Sequence, residues 1–255
     1  MPGKLRLDQA LVARGLFESR EKAQRAIMAG QVRVGEQVVD KASTKVSDDA
    51  VVHVAAADRY VGRGGHKLEA ALTNFGVNPT GMVCLDIGAS TGGFTDCLLQ
   101  HGAAKVWSID VGHSQLDWKI RSDARVVVRE KLNARYLTKA DVPDAIDLVV
   151  IDVSFISLTL ILPPAMEVLA PGGSIVALIK PQFELRREEV GRGGVVKDPA
   201  MHALTVERIE TFVRQLPETS AGQALVWQGV MESPILGGEG NREFLAWLKL
   251  GAGGR

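Results

Sequence analysis

The sequence contains little cysteine and no long apolar segment. Its 255 residues include two cysteines, Cys84 and Cys97, which are too few for a disulfide framework. Both lie within apolar patterns, so we expect buried free thiols and a reducing, cytoplasmic location. The longest apolar runs, such as residues 175–179, are far below the roughly 18 residues that a membrane-spanning helix needs. The basic N-terminus has no apolar stretch after it, so neither a secretory signal nor a membrane partner is expected.

The chain also lacks net charge, because 30 basic residues balance 30 acidic ones. This balance argues against a general polyanion-binding protein, but the charges are unevenly distributed. Between residues 4 and 33 there are seven basic and three acidic residues. With 46% hydrophobic and 24% charged residues, the chain is typical of globular proteins and long enough for one large or two small domains. The neutral total therefore hides a basic N-terminal quarter.

Residues 1–58 predict a small α+β domain. The spacing of apolar residues predicts a helix over 7–15 and a second helix over 20–29, which Ser19 begins and Gly30 ends. Alternation around Gly35-Glu36 predicts a hairpin over 32–39, and residues 51–54 predict another strand. Two short helices that lead into a small sheet would bring several basic side chains onto one compact face.

This domain resembles the S4 RNA-binding domain. The resemblance covers about fifty residues and lies in Arg6-Leu7-Asp8, Gly15, Ser19-Arg20, Ala23, Ile27, Gly30, Val32 and Val34. It implies contacts with RNA phosphates. The candidate RNA-binding residues are Arg6, Arg20, Lys22, Arg25 and Arg33, together with Arg63 of the segment that follows. The alternative is a pair of helices with an ordinary solvated, charged face.

Residues 59–65 contain three glycines and show no periodicity, which predicts a linker. From residue 66 to residue 255, predicted strands alternate with predicted helices, as in an α/β domain with a parallel sheet. The strands are predicted at 83–87, 105–110, 125–128, 146–153, 174–180, 224–230 and 243–250, and the helices at 66–75, 93–100, 159–169 and 199–216. A glycine-rich loop joins the last two strands, so they should pair antiparallel. The expected fold is a Rossmann-like, seven-stranded, mostly parallel sheet, the arrangement of class I methyltransferases.

A short sequence occurs twice: Val61-Gly62-Arg63-Gly64-Gly65 is repeated as Val190-Gly191-Arg192-Gly193-Gly194. Two mobile, basic loops of this kind could both hold a ribose-phosphate strand. Coincidence between glycine-rich loops is an equally good explanation.

A glycine-rich turn follows the first strand of the larger domain and reads Asp86-Ile87-Gly88-Ala89-Ser90-Thr91-Gly92-Gly93-Phe94. A dinucleotide motif would have glycine where Ser90 stands, and no P-loop motif occurs in the chain. The turn suits a methionine-type cofactor, with Ser90 and glycine amides for its carboxylate, Asp86 for its ammonium group and Asp110 for its ribose hydroxyls. The candidate cofactor-binding residues are Asp86, Gly88, Ser90, Thr91, Gly92, Gly93, Phe94, Asp110 and Asn133. The alternatives are a tight structural turn with a capping acid and, for Asn133, a turn asparagine rather than an adenine contact.

Asp152 and Lys180 each end a strongly apolar strand. Ligand sites of open α/β sheets lie at the carboxyl ends of the strands, so both charges should face one crevice. Alone, Lys180 would be a lysine with its stem on apolar surface and Asp152 a helix cap, but together they favour a site. Nearby Ser154 and Ser157 lack the context of a nucleophilic serine. The five histidines show no ligand spacing, so no metal is expected.

Lys67, Asp152, Lys180 and Glu243 resemble the K-D-K-E tetrad of the FtsJ-like (RrmJ-like) ribose 2′-O-methyltransferases. With the S4-like domain and the segments 62–68, 152–157 and 180–184, nearly the whole chain is similar to the TlyA/hemolysin A family. The resemblance implies S-adenosylmethionine-dependent methylation of a cytidine 2′-hydroxyl, with ribosomal RNA or ribosomal subunits as partners. Residues 59–62 read R-Y-V-G instead of the R-A-W-V of mycobacterial members, so no subunit preference is carried over.

A ribose hydroxyl is a poor nucleophile at neutral pH, so a positioned base must accept its proton. The ammonium of Lys67 and the sulfonium of the cofactor would disfavour the charged form of Lys180 and allow it to act as that base. Asp152 would then orient Lys180, and Glu243 would hold Lys67. Two other classes remain as alternatives: a non-catalytic rRNA-binding or ribosome-assembly factor, and a membrane-active hemolysin. The sequence leaves the oligomeric state open.

Overall fold

A computed structural model describes residues 4–28, 30–54 and 58–251 of the chain. The polypeptide divides into two compact units, and the boundary lies between Arg59 and Tyr60. Each unit has its own apolar core.

The N-terminal unit contains two helices and two small antiparallel sheets. Helix α1 (Leu7–Ala13) packs against α2 (Arg20–Met28), and the Ser19 hydroxyl accepts a hydrogen bond from the Lys22 amide at the start of α2. The strands are β1 (Leu5–Arg6), β2 (Val32–Val34), β3 (Gln37–Val38), β4 (Lys45–Val46) and β5 (Val52–Val54). The hairpin β2–β3 is confirmed, and β5 pairs with β2. The pair β1–β4 was not predicted, because two-residue strands show no alternation. The predicted end of the second helix, Ala29, lies outside the described residues.

Residues 60–65 differ from the predicted linker. Helix α3 (Gly64–Phe75) begins two residues before the predicted start at residue 66. The Tyr60 side chain is buried, and a Cβ atom at Gly65 would overlap its ring. The Val61 amide donates a 2.9 Å hydrogen bond to Asp96. Glycine here permits close packing rather than flexibility, so these residues are part of the C-terminal unit.

The C-terminal unit is built on a seven-stranded sheet, as the sequence predicts. In chain order its strands are β6 (Val83–Ile87), β7 (Lys105–Asp110), β8 (Val126–Glu130), β9 (Ile146–Ile151), β10 (Leu169–Ile179), β11 (Leu225–Glu232) and β12 (Phe244–Leu250). Their order across the sheet is β11-β12-β10-β9-β6-β7-β8. Strand β12 runs in the direction opposite to the other six strands of this sheet and pairs antiparallel with β10 and β11.

Helices cover both faces of this sheet. They are α3, α4 (Gly93–Gln100), α5 (Trp118–Arg121), α6 (Leu162–Glu167), α7 (Pro181–Glu184) and α8 (Pro199–Gln215). Apolar residues of α3 and α4 belong to one core cluster, and those of α6 and α8 belong to the other. The helix predicted over 159–169 is shorter than expected. Two prolines, Pro163 and Pro164, lie in the first turn of α6, where proline is tolerated, and a 3-10 turn precedes it.

The register of the sheet brings several polar residues to one edge. Ile87 of β6 pairs with Ile109 of β7 and Ile151 of β9, so Gly88, Asp110 and Asp152 follow at the same level. Ile179 of β10 pairs with Phe244 of β12. Lys180 follows Ile179 and Glu243 precedes Phe244, so in this antiparallel pair Lys180 and Glu243 lie side by side. This edge of the sheet carries the candidate site.

Candidate active site

Two ion pairs lie at this edge, and three of their four side chains are buried while Asp152 is partly exposed. Lys180 Nζ is 2.6 Å from Asp152 Oδ1, and Lys67 Nζ is 2.5 Å from Glu243 Oε2. Both lysines are only 8% exposed, and Glu243 is 2% exposed. Burial of a charged pair costs free energy that its Coulomb attraction does not always repay, so two such pairs together mark a candidate functional site.

Four separate elements bring the tetrad residues together. Asp152 follows β9, Lys180 follows β10, Glu243 precedes β12, and Lys67 lies in the first turn of α3. The start of α3 lies close to Asp152, because a Cβ atom on Gly64 would be 3.7 Å from Asp152 Oδ2. The structure thus places the four residues, predicted from positions far apart in sequence, in one cluster.

Ser154 is a member of this cluster that the sequence did not indicate. Its hydroxyl oxygen accepts a 3.0 Å hydrogen bond from Lys180 Nζ. Ser154 stands only two residues after Asp152. A serine that contacts an amine in this way needs no nucleophile motif around it, so the lack of such a motif does not exclude a role for Ser154.

A crevice opens beside Asp152. Its larger part is a cavity of about 480 Å³. The residues that line it include Gly88, Ser90, Asp110, Asn133, Asp152, Ser154 and Phe155. A smaller cavity of about 140 Å³ is lined by Gly64, Gly88, Ala89, Ser90, Thr91, Gly93, Phe94 and Asp152. Because the two cavities share Gly88, Ser90 and Asp152, they form one elongated site next to the Lys180–Asp152 pair.

Three residues of the glycine-rich turn, Gly88, Ser90 and Gly92, have left-handed backbone conformations. Gly88 has φ +87°, and a Cβ atom there would overlap the backbone carbonyl of Asp152. Ser90 has φ +48° and its amide donates a 2.8 Å hydrogen bond to Asp110 Oδ2. Only glycine fits at position 88, because any side chain there would collide with the backbone of Asp152.

Asp110 is held in a fixed orientation. One carboxylate oxygen accepts the Ser90 amide, and the other accepts the Gly112 amide at 2.7 Å. A carboxylate has about four acceptor positions, so Asp110 keeps capacity for the two hydroxyls of a ribose. Asn133 lines the same cavity while its side-chain oxygen accepts the Arg135 amide at 3.1 Å. It is therefore a turn asparagine that also faces the site.

Asp86 and Gly92 differ from the other cofactor-binding candidates, because neither lines the two cavities. The fully buried Asp86 accepts a 2.6 Å hydrogen bond from Thr95, and its Oδ1 has no partner among the described residues. Burial raises the pKa of Asp86 to about 7, and the charge of Asp152 adds to this. At Gly92, with φ +98°, a Cβ atom would be 2.9 Å from Leu116, so this glycine serves packing.

Phe155 is a second residue that the sequence did not indicate. It is 90% exposed at the rim of the larger cavity, and its ring centre is 4.9 Å from that of Phe183. Its backbone has φ +62°, a conformation that costs a residue other than glycine about 1–3 kcal/mol. No periodicity in the sequence reveals such a position.

The basic candidates of the N-terminal unit have different environments. Asp8 is completely buried and accepts hydrogen bonds from Arg6 at 3.0 Å, from Arg20 at 3.0 Å and from Gln24 at 2.7 Å. These bonds, the one from Arg6 above all, hold the pKa of Asp8 well below its usual range. The side chains of Arg6 and Arg20 remain 41% and 52% exposed. Asp8 therefore brings two guanidinium groups together at the surface.

The other candidates lie outside this cluster. Lys22 forms an ion pair with Glu18, whereas Arg25 and Arg33 are exposed and have no ion-pair partner among the described residues. Arg63 belongs to the C-terminal unit, where it donates a 3.1 Å hydrogen bond to the Leu236 carbonyl. Arg63 therefore belongs to a different unit from the other RNA-binding candidates.

The described part of the chain contains no group of three or more potential metal ligands and no helix with the length and apolar composition needed to cross a bilayer.

Comparison with known proteins identifies the family. A model of FtsJ-like methyltransferases matches residues 60–250. The chain belongs to this family. An S4 domain model matches residues 5–52, so the FtsJ-like unit is preceded by an S4 domain.

Relatives of similar length share both domains. The chain is 50% identical over 247 residues to YqxC of Bacillus subtilis, which is named as an rRNA methyltransferase. The alignment covers 96% of this chain and 85% of that protein. It is 45% identical over 253 residues to TlyA of Mycobacterium tuberculosis, a 16S/23S rRNA (cytidine-2′-O)-methyltransferase. This alignment covers 98% of this chain and 91% of that protein. A solved structure from Streptococcus thermophilus, described as a hemolysin, is 43% identical in sequence and superimposes with a TM-score of 0.73. The match covers 99% of this chain and 90% of that one. These matches confirm the TlyA/hemolysin A resemblance, and the fold class is confirmed with it.

Proposed function

We propose that this FtsJ-like protein transfers a methyl group from S-adenosylmethionine to the 2′-hydroxyl of a cytidine in ribosomal RNA. The observation that carries the proposal is the Lys180 amine, held 2.6 Å from Asp152 at the edge of a crevice that reaches Asp110. The substrate is inferred from TlyA of Mycobacterium tuberculosis, which bears that activity in its name.

The residues of the crevice fit S-adenosylmethionine. Asp110 lines the larger cavity and keeps acceptor capacity on its carboxylate, and Gly88 and Ser90 line both cavities. Asp110 would hold the ribose hydroxyls, Asn133 would face the adenine, and the amides that follow Gly88 would face the carboxylate. When bound, the cofactor supplies a methyl group that a sulfonium already activates.

Lys180 is the base in this proposal. Asp152 favours the charged form of Lys180 through the ion pair, so a second influence must favour the neutral amine before transfer. The ammonium of Lys67 and a positively charged cofactor in the adjacent crevice both act in that direction. The hydroxyl proton of the ribose then moves to the lone pair of Lys180 Nζ while the oxygen acquires the methyl group.

Lys67 has a different role because Glu243 holds it at 2.5 Å and stabilises its charge. An ammonium fixed beside the reacting oxygen stabilises the negative charge that develops on it as its proton leaves. The side chains of the tetrad thus divide the work: Lys180 accepts the proton, Lys67 stabilises charge, and the two carboxylates orient the lysines.

RNA binding is assigned to two surfaces. On the S4 domain, Arg6 and Arg20 are paired through Asp8 for phosphate contacts, with Arg25 and Arg33 exposed on the same unit. On the FtsJ-like unit, both copies of the repeated V-G-R-G-G sequence contact the loop 233–242 that leads to Glu243. Arg63 donates to the Leu236 carbonyl, and Asn241 donates to the Gly194 carbonyl at 3.0 Å. Their shared neighbour favours a common role in holding the ribose-phosphate strand over coincidence.

Mass spectrometry of rRNA tests this function. The protein is incubated with methyl-labelled S-adenosylmethionine and separated ribosomal subunits, and nuclease fragments of each rRNA are analysed. Label on the ribose of a cytidine is the expected result. Label on bases alone contradicts the site chemistry. No label, with cofactor binding intact by titration calorimetry, favours a non-catalytic rRNA-binding factor.

A further inference from the structure

The amine of Lys180 contacts two oxygen atoms within the protein. It forms an ion pair with Asp152 Oδ1 at 2.6 Å and donates a hydrogen bond to Ser154 Oγ at 3.0 Å. Lys67 differs, because Glu243 is its one acceptor among the described residues. The proposed base is therefore held at one more point than the neighbouring lysine.

Two acceptors determine where the lone pair of a neutral amine points. Apart from its bond to Cε, the nitrogen has three tetrahedral directions, which hold two N–H bonds and the lone pair. With both N–H bonds directed at Asp152 and Ser154, the lone pair has a single remaining direction. With Asp152 alone, rotation about the Cε–Nζ bond would exchange the lone pair with the second N–H bond, and one of the two arrangements is unreactive.

The turn that carries Ser154 is tied to the segment that carries Lys180. Helix α7 begins directly after Lys180, and its Glu184 accepts hydrogen bonds from the Ser157 hydroxyl at 2.6 Å and the Leu158 amide at 2.8 Å. These hydrogen bonds connect the turn that carries Ser154 to the segment that carries Lys180. Ser154 and Asp152 both line the larger cavity, so the amine that they hold lies next to the crevice.

We propose that Ser154 is a positioning residue that directs the lone pair of Lys180 at the ribose 2′-hydroxyl. This inference rests on the proposed function. As the O–C bond forms, the C–S bond of the sulfonium breaks and its electron pair stays on sulfur, giving a neutral thioether. The hydroxyl proton moves to the lone pair of Lys180. The resulting ammonium has three N–H bonds, which are directed at Asp152, Ser154 and the methylated oxygen.

Substitution by two residues of equal shape tests the role of the hydroxyl. Ser154 is exposed, so both Ser154→Thr and Ser154→Val have room, and they differ only in the hydroxyl group. We expect Ser154→Thr to retain kcat within about 3-fold and Ser154→Val to lose about 10-fold, a small part of what a positioned base contributes. The KM for RNA and the Kd for S-adenosylmethionine should stay within about 2-fold in both, because the proposed role of the Ser154 hydroxyl is to hold the Lys180 amine.

A pH profile separates positioning from a structural effect. Loss of a hydrogen-bond acceptor disfavours the ammonium form, so the rising limb of kcat against pH should move to lower pH in Ser154→Val but not in Ser154→Thr. The control is Ser220→Ala, which removes a serine hydroxyl bonded to Glu167 and should change neither kcat nor its pH profile.

The outcomes distinguish this inference from the proposed function. If the wild-type protein transfers no methyl group to a ribose, the proposed function fails. If the wild-type protein is active and Ser154→Val has the same kcat and pH profile as Ser154→Thr, Ser154 has no positioning role while the function stands. Equal losses in both variants would likewise refute the role, because the hydroxyl would then make no difference.

Discussion

Lys67 and Glu243 are 176 residues apart in sequence and form a buried ion pair of 2.5 Å in the structure. The pair joins the first turn of α3 to the start of β12. Because both side chains are almost fully buried, the pair affects the stability of the fold as well as the chemistry of the site. The two effects can be measured separately.

Removal of one partner should be more damaging to stability than removal of both. Glu243→Ala leaves the Lys67 ammonium buried without a counterion, and we expect a loss of about 3–5 kcal/mol in the free energy of unfolding. The double variant Lys67→Met with Glu243→Leu should recover most of that stability, yet it should have no methyl transfer activity. Urea unfolding and a methylation assay on the same samples check this. A double variant as unstable as Glu243→Ala would contradict the ion-pair explanation.

The assignment of the base is tested at Lys180. We expect Lys180→Ala to lower kcat by at least about 100-fold, the lower end of what a positioned general base contributes. Lys180→Arg is the matched control for charge, because it keeps a cation but arginine does not deprotonate in proteins; it should be as inactive as Lys180→Ala. Calorimetry should show S-adenosylmethionine binding within about 3-fold of the wild type for both. Activity of Lys180→Arg near the wild-type level would show that charge, not proton transfer, is the role of this residue.

The strand-end residues of the site were predictable, whereas local contacts were not. Asp110, Asp152 and Lys180 follow apolar strands, and parallel topology places such residues at one edge of the sheet whatever the details of packing. Glu243 and Lys67 came from the family resemblance, since neither follows a strand of the parallel part. The position of Glu243 beside Lys180 depends on the antiparallel register of β10 and β12, which sequence spacing does not encode.

Three features depend on packing at the scale of single atoms. Glycine content alone does not distinguish a flexible linker from close packing: the sequence predicts a linker over residues 59–65, whereas Gly65 packs on Tyr60 in the structure. The contact between Ser154 and Lys180 arises from a turn, and turns carry no periodic signal. Asp86 lies one residue inside the end of β6, which turns it away from the crevice that Gly88 lines.

Asp86 should make the stability of the protein depend on pH. Its pKa is about 7 in the folded state, above the ordinary value of 3.8, because burial disfavours the charged form. Between these two pH values the unfolded chain loses the proton that the folded protein keeps, so stability should fall as pH rises from about 4 to about 7, by up to about 1.4 kcal/mol per pH unit. Urea unfolding at pH 5 and pH 7.5 measures this. Asp86→Asn, which does not ionise, should show a smaller difference, and an unchanged difference would rule out Asp86 as its source.

Asp8 provides a test of RNA binding in which orientation and net charge act in opposite directions. Asp8→Asn removes a negative charge, which by itself should strengthen RNA binding. It also loosens Arg6 and Arg20, and we expect a net loss of affinity of about 5- to 10-fold in fluorescence anisotropy with an rRNA fragment. Glu18→Gln removes a negative charge that is paired with Lys22 and should bind RNA as well as the wild type or better. Tighter binding by both variants would show that charge alone governs this surface.

Phe155 should show a trade-off between stability and activity. Its ring is almost fully exposed while its backbone has φ +62°, so the fold gains little from the side chain and carries the strain. Phe155→Gly relieves that strain and should raise the free energy of unfolding by up to about 1 kcal/mol. The exposed ring next to Phe183 offers a stacking surface for an unpaired base of the substrate, worth about 1–3 kcal/mol. Phe155→Gly should therefore lower kcat/KM for RNA by about 10-fold or more with cofactor affinity unchanged, whereas Phe155→Trp, which keeps an aromatic face, should retain most of the activity. If Phe155→Gly were more stable and fully active, the exposed ring would have no part in substrate binding.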